Sequence, residues 1–330
     1  MENRLLKLKN ARAENIVEAP RVDISFPVNG ARFPIMIKPR TAGLILKEWA
    51  KVNRQELEQK VRQHGGILFR GFGIDTVEKF QEFIGVFDVM PLEYKQRSSP
   101  RFEVAKNIYH STTYPADQPI NMHSENSYAL KWAMRIVFCC IWPAEEQGET
   151  PIADNRLVYE NLSDGVKAKF LQKGVRYIRN MSKGMGLAWQ EVFQTSDRAQ
   201  VEEECRKSGM DFVWKDEDSL MLSWNNGAIY DHPETKEKIW FNHAFFFNKY
   251  ALSDELLSSF ESEDHLPFNT HFGDGSPISR EEIEEIRMAY EKATILFSWE
   301  KGDVLFLDNM LISHGRSPYK GKREIIVSMF

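Results

Sequence analysis

The sequence predicts a protein that is mainly β-structured, with helices inserted into a β-core. Near the C-terminus, segments 294–299, 303–307 and 323–330 have strand-like apolar patterns separated by turn residues. A further apolar run, 135–142, reads as a strand in the middle of the chain. Between these strands the apolar residues recur mostly at helical spacing. This distribution indicates a β-core decorated by helices.

The N-terminal part combines two predicted helices with one strand. Segment 41–64 has an apolar stripe at helical spacing, and the glycine pair that follows ends the helix. Segment 67–72 is a short apolar strand, and segment 76–87 places its apolar residues on one side of a second helix. Prolines in 88–120 predict an irregular loop that leads into the polar motif described below.

Three further segments, 155–173, 187–208 and 279–292, are predicted to be helical, and 148–151 is a predicted turn. We find no repeat and no linker, so we expect one domain of residues 1–330. Its expected parts are the N-terminal α/β elements (41–87), the chemical motifs (121–154), a helical lid or insert (about 155–295) and the C-terminal core strands (294–330).

The composition excludes several classes of protein. Of the 330 residues, 42% are hydrophobic and 28% are charged, and the formal net charge is −5, which argues against nucleic acid as the main partner. No stretch reaches the roughly 18 apolar residues that cross a bilayer, and the polar segment 1–15 is unlike a signal peptide. Cys139 and Cys140 read as small core residues of a strand, and nothing resembles a disulfide framework. We expect a cytoplasmic protein with no membrane partner.

A possible metal motif lies at residues 121–125. In extended backbone, side chains two residues apart point the same way, so His123 and Glu125 can close on one ion while Ser124 points away. A second histidine from elsewhere would complete the 2-His-1-carboxylate face of non-haem Fe(II) oxygenases. The spacing alone is weak evidence, because unrelated polar residues produce it by chance.

The C-terminal strand carries an arginine that needs an anionic partner. Arg323, Ile325, Val327 and Met329 share one face of the strand, and the three apolar members indicate that this face points inward. A buried guanidinium requires a carboxylate, and none is obvious on the same strand. A bound dicarboxylate would meet the requirement, and an ordinary internal ion pair is the alternative.

Six short stretches together resemble a known enzyme family. They are 66–72, 123–128, 148–154, 240–243, 302–304 and 314–319. The chain resembles the taurine dioxygenase-like group of Fe(II)/2-oxoglutarate-dependent oxygenases. It is most similar to the branch that includes clavaminate-synthase-like and syringomycin-type amino-acid hydroxylases. The resemblance covers most of the chain, and the combination of stretches is more specific than any one of them.

The resemblance implies a double-stranded β-helix, that is, a jelly-roll or cupin-like core. It implies that His123, Glu125 and His314 bind Fe(II), that Arg323 pairs with the distal carboxylate of 2-oxoglutarate, and that Thr150 hydrogen-bonds the same co-substrate. With O2 as the other co-substrate, such enzymes release succinate and CO2 and oxidise an unactivated C–H bond. Without the resemblance, His314 could be a histidine that caps a strand end, and Thr150 a turn hydroxyl.

Two positions depart from the family pattern. Many relatives have aspartate where this chain has Glu125, which still supplies a carboxylate ligand. Related halogenases leave that ligand position free for chloride, so Glu125 implies hydroxylation or desaturation. Taurine dioxygenase-like enzymes use a further arginine four residues after the co-substrate arginine, and Val327 at that position argues against taurine as the substrate.

Three more residues are candidates for substrate contact. Asn121 and Arg316 lie near the motifs in sequence, and each could equally make local hydrogen bonds. His243 lies in the aromatic run 240–247, where packing in the core is the alternative. The sequence thus predicts an oxygenase that hydroxylates an amino acid or a derived metabolite, free or attached to a carrier protein. A desaturase, a non-oxidative cupin-like metalloenzyme and a binding protein without turnover remain alternatives.

Overall fold

The structure, a computed structural model, describes residues 21–87, 103–111, 114–182 and 187–330. Of the expected loop 88–120, residues 88–102, 112 and 113 lie outside these residues, and the described rest contains the short strands 103–105 and 108–110 as well as irregular chain. The strands are β1 Val22–Ser25, β2 Ile35–Pro39, β3 Gly66–Phe69, β4 Glu103–Ala105, β5 Ile108–His110, β6 Ile120–His123, β7 Arg135–Trp142, β8 Glu146–Gln147, β9 Ile152–Asp154, β10 Val175–Met181, β11 Asp211–Trp214, β12 Leu220–Asn226, β13 Ile229–Asp231, β14 Lys238–Trp240, β15 Phe268–Phe272, β16 Thr294–Ile295, β17 Val304–Asp308, β18 Ile312–Arg316, β19 Tyr319–Lys320 and β20 Glu324–Met329. The α-helices are α1 Leu46–Val52, α2 Arg54–His64, α3 Val77–Ile84, α4 Asn155–Asn161, α5 Asp164–Lys173, α6 Trp189–Phe193, α7 Arg198–Lys207, α8 Asp254–Ser258 and α9 Arg280–Ala293.

Two facing sheets form the core. The larger has eight strands in the order β1-β2-β3-β17-β7-β20-β5-β4, and the smaller has four in the order β16-β9-β18-β6. Apolar side chains from both sheets, such as Phe138, Leu305 and Val327 of the larger and Ile152 and Ile312 of the smaller, pack into one cluster. This is the double-stranded β-helix that the resemblance predicts.

Side-chain alternation gives the larger sheet two buried faces. On β7, Ile136, Phe138 and Cys140 point toward the smaller sheet, whereas Val137 and Cys139 point to the other side. There they pack against the N-terminal helices, which supply apolar side chains such as those of α2 and α3. Both cysteines are buried, as the apolar run predicts. On β20, Ile325, Val327 and Met329 face the smaller sheet, which confirms the predicted parity of that strand.

The insert between β9 and β16 contains more β-structure than the sequence indicated. Helices α4 to α9 lie in it, but so does a four-stranded antiparallel sheet with the order β11-β12-β10-β15. The description of 155–295 as a helical insert is therefore wrong in part. Strand β10 has the mixed sequence VRYIRNM, and its partners β12 and β15 begin 45 and 93 residues beyond its own start, so no local pattern reveals the pairing.

Several predicted boundaries also differ. The single helix expected at 41–64 is two helices that meet at Asn53, whose side-chain amide donates to the Trp49 carbonyl oxygen at 2.8 Å. The helix expected at 155–173 is interrupted because the Ser163 hydroxyl caps a new helix. The helix expected at 187–208 is interrupted at Gln194, which has a positive φ of 54°.

Of the strand expected at 294–299, only Thr294–Ile295 pairs with another strand. In the described part of the chain, no helix is long and apolar enough to cross a membrane.

Candidate active site

The three predicted metal ligands converge at one edge of the smaller sheet. His123 ends β6 and His314 lies in β18, and the two residues are paired across the antiparallel ladder. Their ring centroids are 4.4 Å apart. Glu125 follows two residues after His123, and one ligand atom from each of the three residues lies within 4.8 Å of the other two. The strand pairing therefore brings together residues that are far apart in sequence.

Glu125 does not lie in the extended backbone that the sequence predicted for it. Strand β6 ends at His123, so Glu125 lies just beyond it, at the start of a turn in which Asn126 has a φ of 57°. The Ser124 side chain does point away from the ligands, since its hydroxyl contacts the Ser313 hydroxyl in the interior at 3.1 Å.

A hydrogen bond fixes the orientation of the His123 ring. Its Nδ1 lies 2.8 Å from the carbonyl oxygen of Asn121, so Nδ1–H donates to that oxygen. This tautomer places the lone pair of the ring on Nε2, the atom that would bind a metal ion. The ring packs against Phe246, with centroids 4.6 Å apart. Two imidazole nitrogens and a carboxylate oxygen form the donor set that suits Fe(II) with open coordination positions.

The ligands face a cavity of about 570 Å³, a size typical of small-molecule sites. Its lining includes Asn121, Thr150, His243, Arg316 and Arg323, so it reaches all of the predicted site residues. The lining also includes apolar side chains of the insert, namely Phe247, Leu252, Leu256, Phe260, Pro267 and Phe268. The cavity thus combines polar walls at the metal ligands with apolar walls formed by the insert.

Arg323 lies immediately before β20 and faces the cavity. Its Nε donates to the Gly148 carbonyl oxygen at 2.8 Å, and its Nη2 lies 3.4 Å from the Thr150 hydroxyl oxygen. In the described part of the chain it forms no ion pair with a carboxylate. Burial, and then the nearby charge of Arg316, lower the pKa of Arg323 to about 10. The guanidinium is therefore charged at neutral pH, in a position where a carboxylate would be strongly bound.

Close approach of the chain to Arg323 requires a glycine at position 148. Gly148 has a φ of +74°, and an added Cβ would lie 2.8 Å from the Ala144 Cβ and 3.2 Å from the Arg323 Cδ. The Thr150 hydroxyl also accepts a hydrogen bond from the Trp299 indole at 3.1 Å, which fixes the position of its oxygen beside Arg323. The segment 148–151 thereby shapes the cavity wall at Arg323.

Arg316 holds a loop at the cavity wall. Its Nη1 donates to the Tyr114 carbonyl oxygen at 2.8 Å, and its Nη2 donates to the carbonyl oxygens of Pro115 and Gln118, the latter at 2.6 Å. The guanidinium is buried, although the side chain lines the cavity. Of the two predicted roles, the hydrogen bonds observed here are those of local structure.

His243 is a buried wall residue beside the metal ligands. Its Nδ1 lies 2.6 Å from the Ser127 hydroxyl, and its ring centroid is 5.8 Å from that of His123. Burial is the main cause that holds the pKa of His243 well below its ordinary value, so the ring is neutral. Of the aromatic run 240–247, Trp240 and Phe241 are core residues, whereas Phe246 is half-buried and faces the cavity.

Asn309, which the sequence did not single out, hydrogen-bonds the backbone of Glu125. The Asn309 Oδ1 accepts from the Glu125 N–H at 2.8 Å, and its Nδ2 donates to the carbonyl oxygens of Glu125 at 2.9 Å and Ala133 at 2.8 Å. Its sequence signal is an Asp-Asn pair at the end of an apolar strand, and such a pair is equally typical of an ordinary turn.

Comparison with known proteins agrees with this geometry. The family model described as "Taurine catabolism dioxygenase TauD, TfdA family" matches residues 32–329. The chain is 35% identical to the dapdiamide synthesis protein DdaC of Enterobacter agglomerans over 306 residues, and this match covers 92% of each protein. It is 24% identical over 317 residues to a clavaminate synthase-like protein of Arabidopsis thaliana, which covers 90% of this chain and 93% of the relative.

The fold is also shared with a solved structure. PvcB of Pseudomonas aeruginosa superposes with a TM-score of 0.55 at 15% identity, over 95% of this chain and 93% of PvcB. At that identity the likeness concerns the fold alone, and it supports the jelly-roll core. Because the family model spans nearly the whole described core and DdaC is related over most of both chains, the protein belongs to the TauD/TfdA family of Fe(II)- and 2-oxoglutarate-dependent dioxygenases.

Proposed function

We propose that the protein hydroxylates an unactivated C–H bond of an amino acid or an amino-acid-derived metabolite. The observation that carries the proposal is one cavity with two matched features. His123, Glu125 and His314 converge at its wall, and the buried, charged Arg323 faces it beside Thr150. A metal triad alone fits several reactions, but a cationic anchor at the same cavity selects a dicarboxylate co-substrate.

Two sets of residues would bind the metal and the co-substrate. His123, Glu125 and His314 would hold Fe(II), and the hydrogen bond to the Asn121 carbonyl oxygen keeps the ring lone pair of His123 on Nε2, the atom that would bind the metal. Arg323 and Thr150 would bind the distal carboxylate of 2-oxoglutarate and so fix its orientation. Iron bound there would supply the oxidising power for C–H cleavage, with 2-oxoglutarate and O2 consumed and succinate and CO2 formed.

The apolar walls of the cavity would receive the substrate and exclude water. Phe247 and Phe268 stack there with centroids 4.1 Å apart and planes within 7°, and this pair forms a rigid wall. Val327 lines the cavity where taurine-specific relatives would place an arginine, so the wall offers no anchor for a sulfonate at this position. Glu125 fills the third protein ligand position, which favours hydroxylation or desaturation over halogenation.

Relatives support an amino-acid-related substrate. DdaC is described as a protein of dapdiamide synthesis, and the Arabidopsis relative as clavaminate synthase-like. Two residues that line the cavity, Tyr114 and Leu256, are 51% and 47% exposed and so mark its apolar mouth. An apolar mouth suits both a free metabolite and one that is carried on the arm of a carrier protein.

The experiment is a survey of succinate formation. Protein loaded with Fe(II) and 2-oxoglutarate is incubated in air with free amino acids, their amides and the same amino acids loaded on carrier proteins. We expect one group to stimulate succinate release and to gain 16 mass units, the mass of one oxygen atom. A product that loses two hydrogens would replace hydroxylation by desaturation. Metal-dependent product formation without succinate would contradict the proposal and favour a non-oxidative enzyme.

A further inference from the structure

The three metal ligands lie on two chain segments that must keep a fixed separation. His123 and Glu125 belong to one segment, and His314 belongs to the other. Pairing of β6 with β18 aligns His123 with His314, but the register shifts immediately after His314. Glu125 lies beyond the end of β6. Regular strand pairing therefore ends within this site, and other contacts must hold the ligands in place.

A closed ring of hydrogen bonds lies behind the ligands, on the side away from the cavity. The Ser124 hydroxyl is 3.1 Å from the Ser313 hydroxyl, Asn155 Nδ2 donates to the Ser124 Oγ at 3.0 Å, and the Ser313 hydroxyl donates to the Asn155 Oδ1. All three side chains are buried. Ser124 lies between His123 and Glu125 in sequence, and Ser313 directly precedes His314.

The direction of every bond in the ring can be assigned. Asn155 Nδ2 also donates to the Met310 carbonyl oxygen at 2.8 Å, which fixes the orientation of the amide, because the flipped amide would place two oxygens in contact. The Ser313 proton is used on Asn155 Oδ1, so the Ser313 Oγ must accept the Ser124 proton. Each of the ring's donors is therefore satisfied in one arrangement only, which makes the ring specific in geometry.

A second contact joins the same two segments. Asn309 is buried and binds both the N–H and the carbonyl oxygen of Glu125 through its side-chain amide. Asn155 also donates its backbone N–H to the Leu311 carbonyl oxygen at 2.7 Å. The ligand-bearing segment 123–125 is thus tied to the segment 309–314 at two points, the Ser124 side chain and the Glu125 backbone.

We propose that Ser124, Ser313 and Asn155 are positioning residues that set the spacing of the metal ligands before the metal binds. The proposal rests on the proposed function, because it takes His123, Glu125 and His314 as the ligands. A ring that only filled the core would stabilise the protein without affecting the metal. A positioning ring must change metal affinity beyond its effect on stability, since partners of this kind fix ligand orientation.

The test measures binding of Mn(II) to the metal-free protein by electron paramagnetic resonance, without 2-oxoglutarate or turnover. The variants are Ser124→Ala, Ser313→Ala and the double variant. We expect each single variant to weaken Mn(II) binding about 10- to 100-fold, as is usual when a partner of a metal ligand is lost. Either change opens the same ring, so the double variant should bind about as weakly as a single one rather than showing the summed loss.

The matched control is Ser223→Ala. Ser223 is also buried and accepts a hydrogen bond from the Arg176 guanidinium at 3.0 Å, but it lies on β12 in the insert sheet. It should lower the unfolding temperature of the metal-free protein and leave Mn(II) affinity within about twofold of the wild type. Ser124→Thr retains the hydroxyl and should restore affinity. Ser124→Cys fills nearly the same volume with a weak donor, so it should stay folded and still bind Mn(II) poorly.

Two results with the variants would overturn this proposal without affecting the proposed function. Folded Ser124→Ala and Ser313→Ala proteins that bind Mn(II) as the wild type does would reduce the ring to a core contact. Losses that simply add in the double variant would show that the serines do not act as one ring. A wild-type protein that fails to bind Mn(II) would instead remove the proposed function, and this inference with it.

Discussion

Arg323 shows how a single side chain can indicate the chemical class of the ligand that a site binds. Its Nε is used by the Gly148 carbonyl oxygen, and its remaining donors face the Thr150 hydroxyl and the cavity. Because burial penalises the charge, a bound carboxylate gains more here than it would at the surface. Strand parity predicted the inward direction of Arg323, although the residue lies just before β20 and the pairing with β7 shifts register between Glu324 and Ile325. Its contacts with residues about 175 positions earlier in the chain could not be predicted.

Replacing Arg323 with leucine should weaken 2-oxoglutarate binding roughly 10- to 100-fold, because a hydrogen bond to a charged group contributes about 1.5–3 kcal/mol. Arg323→Lys retains the charge without the planar fork and should give an intermediate loss. Calorimetric titration of the Mn(II)-loaded protein measures both. Lys322→Leu is the control, since that neighbouring side chain is exposed and should leave the dissociation constant unchanged.

The pH dependence of 2-oxoglutarate binding follows from the lowered pKa of Arg323, about 10. Binding requires the charged guanidinium, so affinity should be constant below that pKa and fall as the pH rises through it. Bound 2-oxoglutarate favours the charged form and should move the fall to higher pH. Dissociation constants measured from pH 7 to 10.5 test the sign, and an affinity that rises across this interval would contradict the assignment.

At the scale of elements, turns at the strand ends place the site residues. The turn between β17 and β18 is organised by Asp308, whose Oδ1 accepts the N–H groups of Met310 and Leu311 at 2.9 and 3.1 Å. Its Oδ2 binds the Arg135 guanidinium at 2.7 Å and lies 3.3 Å from His232 Nε2. His232 lies in a polar, proline-containing stretch of the sequence that is typical of a loop, yet its side chain is fully buried. Its partner Asp308 lies 76 residues away, so no local pattern could predict the contact.

Asp308→Asn should lower the free energy of unfolding by up to about 3 kcal/mol, the lower end for a broken buried ion pair, since the buried Arg135 guanidinium loses its closest carboxylate but keeps Glu58 at 2.9 Å. Urea unfolding of the metal-free protein measures the loss. Asp23→Asn removes the exposed ion pair with Arg40 and should cost less than about 1 kcal/mol. Equal losses in the two variants would show that Asp308 does not organise the turn.

Gly148→Ala should impair co-substrate binding more than it impairs folding. The added Cβ would press on the Arg323 side chain and on Ala144, and the backbone has a positive φ. Gly43→Ala is the matched control, because Gly43 has a φ of +83° with nothing within 4 Å of the added Cβ. Both should lose about 1 kcal/mol of stability from the backbone, but only Gly148→Ala should raise the 2-oxoglutarate dissociation constant.

At the scale of the whole molecule, the sequence predicted the core better than the insert. Near-continuous apolar runs make β7, β17 and β20 recognisable in the sequence, because both faces of the larger sheet are buried. The metal motif could be recognised in the sequence because His123 and Glu125 are only two residues apart. The insert sheet, the Asn309 contact and the ring through Asn155 depend on partners distant in the chain, where local patterns carry no signal.

Anaerobic addition of 2-oxoglutarate to the Fe(II)-loaded protein tests most directly whether the triad and Arg323 form one site. If His123, Glu125 and His314 hold the iron and Arg323 holds the co-substrate against it, a visible charge-transfer band should appear and should vanish in Glu125→Ala. The account would be contradicted by a folded protein that binds Fe(II) and 2-oxoglutarate yet shows no band, or by a Glu125→Ala protein with an unchanged band.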